Sequence, residues 1–440
     1  MFDNIPTFPL DRPALRPLEL LPARTKEQTV ILVRDPMGLI EGAAVLPADP
    51  LLLLFLEMAD GRTSPEEMST KAGQMTGQII PAHVFTEMAS QLDEALLLQT
   101  ERFAEALREK YRSWMESPTR PFRAFSADGG DRLAMLKALG DEFRRHRMSS
   151  ISPPERLDLP AGSVRGILSP HIDYNRGGEA YAWAYQALKD HGTGARRFIV
   201  IGTCHRPTQS LFVATSKDYE TPIGTVPADK ELLNELIELS GLDLLDEEYA
   251  HADEHAVEMQ ATYLRHVFRD EDISIVPILA GSVEELLGED DLKPDQIDEV
   301  RKFTGALQKI LDKYGDDVAI VGGVDFSHCG PQFGDPEPVD DTRKKIIERN
   351  DREHLDAIET GDPMQFFESF RERQNDQRVC SIGPMYCVME ALRGRAKGRV
   401  LHYQQAVTPD NNTLVSFASV AFVKDGVEER PKARIILARS

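Results

Sequence analysis

The chain has 440 residues, of which 41% are hydrophobic and 28% charged, the composition of an ordinary globular protein. At roughly 150 residues per domain, this length predicts two or three domains. The 73 acidic residues outnumber the 51 basic ones and give a formal charge of -22. Because nucleic acids and anionic membranes are bound through basic side chains, this balance argues against both as partners.

The cysteine content and the apolar runs indicate the compartment. Four cysteines without regular spacing do not form a disulfide framework and suit a reducing environment. The first residues lack the apolar stretch of a secretory signal, and the longest apolar run, from Leu51 to Leu56, is too short to span a bilayer. We therefore expect a cytoplasmic protein that binds neither nucleic acid nor membrane.

Residues 1–120 are predicted to form a small accessory domain. Asp35-Pro36 and Gly38 separate two apolar runs, which predicts a hairpin. Three helical segments follow, the second of which starts at a capping box made by Ser64 and Glu67. Residues 25–103 resemble the PqqD-like winged-helix domains of peptide-modifying systems. A helical cap on the main domain is the alternative interpretation.

The rest of the chain predicts an α/β domain. Residues 121–160 are predicted to form a linker and a connecting helix, residues 161–425 the main domain, and residues 426–440 a tail or edge strand. Apolar runs alternate with helical stretches at a spacing typical of a largely parallel sheet flanked by helices. The strand-like runs are VRGILSP, RFIVIGT, ISIVPILA, VAIVGGVDFS and LVSFASVAFV.

Histidines follow three of these strands directly. His171 comes after the first run, His205 after the second and His328 after the fourth. In open α/β sheets, ligands bind outside the carboxyl ends of the strands. Since the chain has only 11 histidines, three at one edge predict a functional site.

Five motifs in the main domain resemble those of the Memo family, known in bacteria and archaea as AmmeMemoRadiSam system protein B. They occur in the family's order between about residues 160 and 425. The motifs are Pro170-His171, Gly202-Thr203-Cys204-His205, the helix start from Glu254 to Met259, the strand end from Asp325 to Gly330, and Cys380 with Pro384.

The resemblance implies a class III extradiol dioxygenase-like fold and a metal site. It places His171, His205 and Cys380 around the metal. His328 and Asp325 are implied as catalytic groups in the same pocket. Two imidazoles and a thiolate suit iron or copper, or zinc, and three protein ligands leave an open coordination position. We assign His255 an orienting role beside the site.

These residues predict a metal-dependent oxidoreductase that acts on a small-molecule or peptide substrate. The resemblance further implies a radical S-adenosylmethionine (SAM) protein of the same system as partner. The sequence departs from the family pattern at Ile172-Asp173, Arg206 and Ser381-Ile382, so substrate contacts are not carried over. The alternatives are a non-enzymatic peptide- or partner-binding protein and a metal-free hydrolase with Cys380 as a nucleophile activated by His328. A helix that starts near Ser381 would place its amino end beside Cys380 and favour the thiolate.

Two further sets of residues have alternative interpretations. His251, His255 and Glu258 could be a zinc-binding helix, but their spacing does not match a His-Glu-x-x-His metalloprotease, and we favour a charged helix start. Cys204 and Cys329 adjoin site histidines and could add thiols to the pocket. Because neighbouring residues on a strand point to opposite faces, we expect both to be buried and inert.

Overall fold

The computed structural model describes residues 5–24, 29–35, 37–40, 44–123, 132–148, 157, 159–288, 292–410 and 412–424. It divides the chain into two compact units, Met1–Ser117 and Pro118–Ser440. The predicted tail at 426–440 lies outside the described residues, as do 124–131 and 149–156 of the predicted linker. Within the part of the chain described, no helix is both long and apolar enough to cross a membrane.

The first unit contains a three-stranded antiparallel sheet and four helices. The strands, in the order β1-β2-β3, are β1 (Glu19–Arg24), β2 (Thr29–Arg34) and β3 (Ala44–Pro47). The helices are α1 (Pro50–Met58), α2 (Pro65–Thr76), α3 (Ala82–Glu94) and α4 (Glu101–Glu116). The predicted hairpin is formed by β2 and β3, but its second strand begins at Ala44 rather than directly after Gly38. The PqqD-like resemblance of this region stays a prediction.

A buried ion pair holds the first unit together. Arg16 Nη1 donates to Asp35 Oδ1 at 2.6 Å, and both side chains are fully buried. Asp35 also accepts the backbone N–H groups of Met37, Leu39 and Ile40. Burial opposes ionisation of this carboxyl, but the Arg16 hydrogen bond and these N–H groups outweigh it and lower the pKa of Asp35 to about 2.

The second unit is built on an eight-stranded sheet in the order β12-β14-β5-β11-β6-β10-β7, with β13 paired to β14. The four central strands, β5 (Val164–Ser169), β11 (Val318–Gly323), β6 (Arg197–Thr203) and β10 (Ser274–Ala280), are parallel. Antiparallel strands flank them: β7 (Phe212–Ala214) on one side, and β12 (His328–Cys329), β13 (Ala396–Val407) and β14 (Leu414–Lys424) on the other. A separate small sheet joins β4 (Thr119–Arg120), β8 (Asp218–Thr221) and β9 (Gly224–Val226).

Helices cover both faces of the large sheet. They are α5 (Arg132–Met148), α6 (Tyr174–His191), α7 (Lys230–Ser240), α8 (Ala256–Val267), α9 (Asp298–Tyr314), α10 (Asp341–Thr360), α11 (Pro363–Glu368) and α12 (Ile382–Leu392). Alternate residues of each central strand enter opposite cores: Ile199 packs with the core of α7, α9 and α12, and Val200 with that of α6 and α8. This two-sided burial explains the continuous apolar runs in the sequence. The predicted α/β class, with a mainly parallel sheet and a small N-terminal domain, is confirmed.

Substituting Asp35 by Asn should remove about 3–5 kcal/mol from the free energy of unfolding of the first unit, because Arg16 would then be a buried charge without its partner. Urea denaturation followed by tryptophan fluorescence would measure the loss. All variants carry Trp183→Phe, so that the fluorescence comes from Trp114, which lies in the first unit. The control is Glu19→Ala, which breaks the exposed pair with Arg34 and should cost at most about 1 kcal/mol. Equal losses in both variants would contradict the role given to the buried pair.

Candidate metal centre

The ends of three adjacent strands bring the predicted histidines together. β5, β11 and β6 are neighbours in the sheet, and their carboxyl ends lie at one edge. His171 follows β5, Asp325 follows β11 and His205 follows β6. The parallel arrangement therefore collects at one edge residues that are up to 154 positions apart in the sequence.

A third histidine reaches this edge from helix α8. His255 is the residue immediately before α8, whose first turn lies against the ends of β6 and β11. A Cβ on Gly202 would lie 2.9 Å from the Ala256 Cβ, and one on Gly323 would lie 2.7 Å from the Ala256 carbonyl oxygen. Glycine at both strand ends thus permits the close approach that brings His255 to the site.

The three imidazole rings form a nearly equilateral triangle. Their centroids are 5.1 Å apart for His171 and His205, 5.4 Å for His171 and His255, and 5.1 Å for His205 and His255. One ligand atom from each lies within 4.8 Å of the others, close enough for one metal ion to bind all three. Sequence reasoning gave His255 only an orienting role, because its position before a helix does not show which way the side chain points.

The Nδ1 atom of each ring already has a protein acceptor. The Gly323 carbonyl oxygen lies 3.2 Å from Nδ1 of His171. The carboxylate of Glu254 is 3.0 Å from Nδ1 of His205 and 3.2 Å from Nδ1 of His255. If each Nδ1 carries the proton that is donated, each Nε2 is left as the metal-binding nitrogen, the arrangement that outer-shell partners impose in metal sites.

Glu254 is the first residue of the family motif at the start of α8, but the sequence alone does not indicate that its side chain belongs to the site. It is buried, and its Oε1 also accepts the backbone N–H groups of His255 and Ala256. Burial would raise the pKa of this carboxyl, but its bonds to His205 and His255 hold the pKa well below the ordinary value. A buried anion thus lies beneath two of the three imidazoles.

The histidines differ in charge. Burial, reinforced by the neighbouring His205 and His255, lowers the pKa of His171 well below its usual value, so this ring is neutral. Burial also disfavours a charge on His205, but hydrogen bonds to Cys380 and Glu254 outweigh it and raise the pKa of His205 to about 11. In the metal-free protein, His205 is therefore protonated at neutral pH.

The thiol of Cys380 lies beside this triangle. Its Sγ is 3.6 Å from Nε2 of His171 and 3.2 Å from Oγ of Ser381, the residue at the start of helix α12. The predicted position of Cys380 at a helix amino end is observed. Cys380 is outside the group of three histidines that can share one ion, so its role as a ligand stays a prediction.

Asp325 is buried between the strand end and His171. Its Oδ1 accepts the backbone N–H of His171 at 3.1 Å, and its Oδ2 is 3.7 Å from Nε2 of that ring. Burial raises the pKa of Asp325 to about 7 despite these N–H contacts. This carboxyl can therefore gain or lose a proton near neutral pH.

His328 flanks the site without joining the triangle. Its Nδ1 lies 3.0 Å from the Phe326 carbonyl oxygen, and its ring packs edge-on against Phe333. Burial, with the nearby His205 charge, lowers the pKa of His328 to about 4. The ring is neutral at pH 7, and donation of the Nδ1 proton to Phe326 would leave Nε2 as a proton acceptor.

Two residues of the zinc-helix alternative, His251 and Glu258, lie away from the triangle and have other partners. His251 is fully buried, with Nδ1 2.6 Å from the Tyr219 hydroxyl and Nε2 3.0 Å from the Val213 carbonyl oxygen. Glu258 is paired with Arg120.

The two cysteines beside site histidines differ in burial. Cys329 is buried in a small apolar cluster and Cys204 is partly buried, and burial raises the pKa of each thiol to about 11. Both thiols are thus protonated at neutral pH.

Comparisons with known proteins identify the family of this chain. The family model described as Memo-like protein matches residues 145–421, and the chain belongs to this family. A MEMO1 family protein of Aquifex aeolicus is 24% identical over 414 residues, covering 93% of this chain and 100% of the relative. One from Thermus thermophilus is 26% identical over 345 residues, covering 78% of this chain and 94% of the relative.

One solved structure is also similar to this chain. It is an uncharacterized protein of Escherichia coli K12, with a TM-score of 0.36 and 16% sequence identity, covering 59% of this chain and 99% of that one.

Binding of a metal ion at neutral pH should release at least one proton, because Nε2 of His205 must lose its proton before it can bind a metal. The pKa of His205 is raised, so the metal-free state holds this proton up to about pH 11. The apparent affinity should therefore rise about tenfold per pH unit across neutral pH. Calorimetry with Zn²⁺ in buffers of different ionisation enthalpy would count the protons, and a count of zero at pH 7 would contradict the assigned state of His205.

Proposed function

We propose that the protein is a metal-dependent oxidoreductase with a mononuclear iron or copper site at this edge of the sheet. His171, His205 and His255 are the ligands, and Cys380 is a fourth donor beside them. The observation that carries the proposal is that all three imidazoles have an acceptor near Nδ1 and each offers a ligand atom within 4.8 Å of the other two. Partners of this kind fix the orientation of imidazole ligands in metal sites.

The chemistry of the donors supports a transition metal. Imidazole nitrogens and a thiol suit iron, copper and zinc, whereas magnesium and calcium prefer oxygen ligands. Three protein nitrogens leave positions open for substrate or oxygen. A bound iron or copper ion would supply one-electron redox chemistry and Lewis acidity at this position.

The residues around the ligands provide proton transfer. Neutral His328 lies beside the ligands and would offer Nε2 as a hydrogen-bond acceptor to a substrate hydroxyl, thiol or amide that enters the site. Asp325, whose pKa is raised to about 7 by burial, holds or releases a proton beside His171. In this proposal both are catalytic groups, and the substrate is a small molecule or a peptide.

A metal-free hydrolase is the second candidate, because Cys380 Sγ lies 3.6 Å from Nε2 of His171. A cysteine nucleophile needs a neighbouring imidazole that becomes protonated when the thiolate forms. Burial and two adjacent histidines hold the pKa of His171 well below its usual value, which disfavours that protonated state. Protonated His205, which is hydrogen-bonded to Cys380, would instead stabilise a thiolate. The grouping of three imidazoles within reach of one ion is the observation that favours the metal centre over the hydrolase.

Metal analysis tests the centre directly. Protein purified without oxygen and supplied with iron or copper should contain about one ion per chain. His171→Ala, His205→Ala and His255→Ala should each lower the content about tenfold or more. His83→Ala, which removes an exposed histidine of the first unit, is the matched control and should keep the metal. Wild-type protein that holds no iron, copper or zinc after reconstitution would contradict the proposal.

Redox cycling separates an oxidoreductase from a binding protein. The copper-loaded protein should lose its electron paramagnetic resonance signal on reduction with ascorbate and regain it with oxygen. A signal that persists through both treatments would argue against redox function.

Cobalt substitution tests the thiol of Cys380. If the sulfur binds the metal, the Co²⁺-loaded protein should show a sulfur-to-cobalt charge-transfer absorption in the near ultraviolet, and Cys380→Ser should abolish it. Cys329→Ser is the control, since that thiol is buried in a separate apolar cluster. An absorption that is unchanged in Cys380→Ser would exclude the cysteine as a ligand while leaving the three-histidine site in place.

We also propose a radical SAM protein of the same system as the partner, a proposal that comes from the family resemblance. The two purified proteins should co-elute in gel filtration under anaerobic conditions at micromolar concentrations. Independent elution, with and without SAM, would contradict this partnership and would leave the metal centre unaffected.

A further inference from the structure

Strand β4, the first strand of the second unit, contacts the loop that carries Glu254 and His255. β4 pairs in parallel with β8, so that Arg120 lies opposite Tyr219. We propose that Arg120 is a positioning residue of the metal centre, acting through the loop that carries Glu254 and His255. This inference rests on the metal site of the proposed function and adds a residue at position 120, outside the family match at 145–421.

Arg120 is fully buried and its guanidinium contacts the loop at two points. Nε donates to the carbonyl of His251 at 3.0 Å, and Nη2 donates to the carbonyl of Glu254 at 2.7 Å. Nη1 donates to the carbonyl of Pro121 at 2.9 Å and is paired with the carboxylate of Glu258. One planar group therefore links the loop before His255 to the helix after it.

The neighbouring residue Arg123 reinforces this connection. Its backbone N–H donates to Oε2 of Glu258 at 2.7 Å, and its side chain pairs with Asp253 at 3.2 Å. The short segment from Arg120 to Arg123 thus holds Asp253, Glu254 and Glu258. These residues surround His255 in the sequence on both sides.

Glu254 connects Arg120 to the metal ligands, because Arg120 binds its backbone carbonyl and two imidazoles bind its carboxylate. The carboxylate of Glu254 is the acceptor near Nδ1 of both His205 and His255. Because Arg120 fixes the backbone carbonyl of that same residue, displacement of the loop would move the acceptor away from two of the three imidazoles. Outer-shell partners of this kind commonly set metal affinity.

Arginine suits this position better than lysine does. The rigid guanidinium presents donors in several directions within one plane, whereas a lysine ammonium is a point charge on a flexible stem. A lysine at position 120 could keep the charge opposite Glu258 but could not reach both loop carbonyls in the same geometry. The Arg120→Lys variant therefore separates charge from positioning.

The experiment measures Co²⁺ affinity and the visible Co²⁺ spectrum of the full-length protein. Arg120→Met should weaken Co²⁺ binding about 10–100-fold and alter the spectrum, and Glu254→Gln should do the same. Arg120→Lys should also weaken binding. Arg16→Met is the matched control, because Arg16 is equally buried and paired with Asp35 in the first unit, and its Co²⁺ affinity and spectrum should equal those of the wild type.

The outcomes are separable. Wild-type affinity and spectrum in folded Arg120→Met or Arg120→Lys would overturn this inference alone. A wild-type protein that binds no Co²⁺ would overturn the metal centre and this inference with it. If neither variant folds, hydrogen exchange in the wild type decides: Co²⁺ should slow amide exchange in residues 118–123 as well as in 254–259, and unchanged exchange in 118–123 would overturn the proposal.

Discussion

The candidate metal centre depends on one buried carboxylate. Glu254 holds Nδ1 of both His205 and His255, and its own negative charge is stabilised by the N–H groups at the start of α8. An unpaired anion at this depth would be costly, so the carboxylate and the two imidazoles stabilise one another. The same contacts that stabilise Glu254 therefore orient two of the three candidate metal ligands.

The sheet provides the frame for this interaction. Parallel strands with their carboxyl ends at one edge bring His171 and His205 together, and the glycines at the ends of β6 and β11 let α8 approach closely enough to add His255. The three imidazoles that lie within reach of one ion come from the sheet edge and this one helix start. The ligand set is thus a consequence of topology and close packing together.

Buried arginine–carboxylate pairs recur in both units with different consequences. Arg16 and Asp35 join distant segments of the first unit, and Asp35 is further held by three backbone N–H groups. Arg120 and Glu258 join the start of the second unit to helix α8, next to the site. In both cases removal of one partner would leave a buried charge, so each pair constrains the backbone that carries it.

The sequence by itself determined the α/β class, the five main strands and two of the three histidines, because continuous apolar runs and strand-end residues are local signals. It also placed Cys380 at a helix start. Only the tertiary structure decided the role of His255, the double contact of Glu254 and the connection through Arg120. These depend on side-chain direction and on contacts between residues as far apart as Arg120 and Glu254, 134 positions in the chain. Such contacts leave no periodic pattern in the sequence.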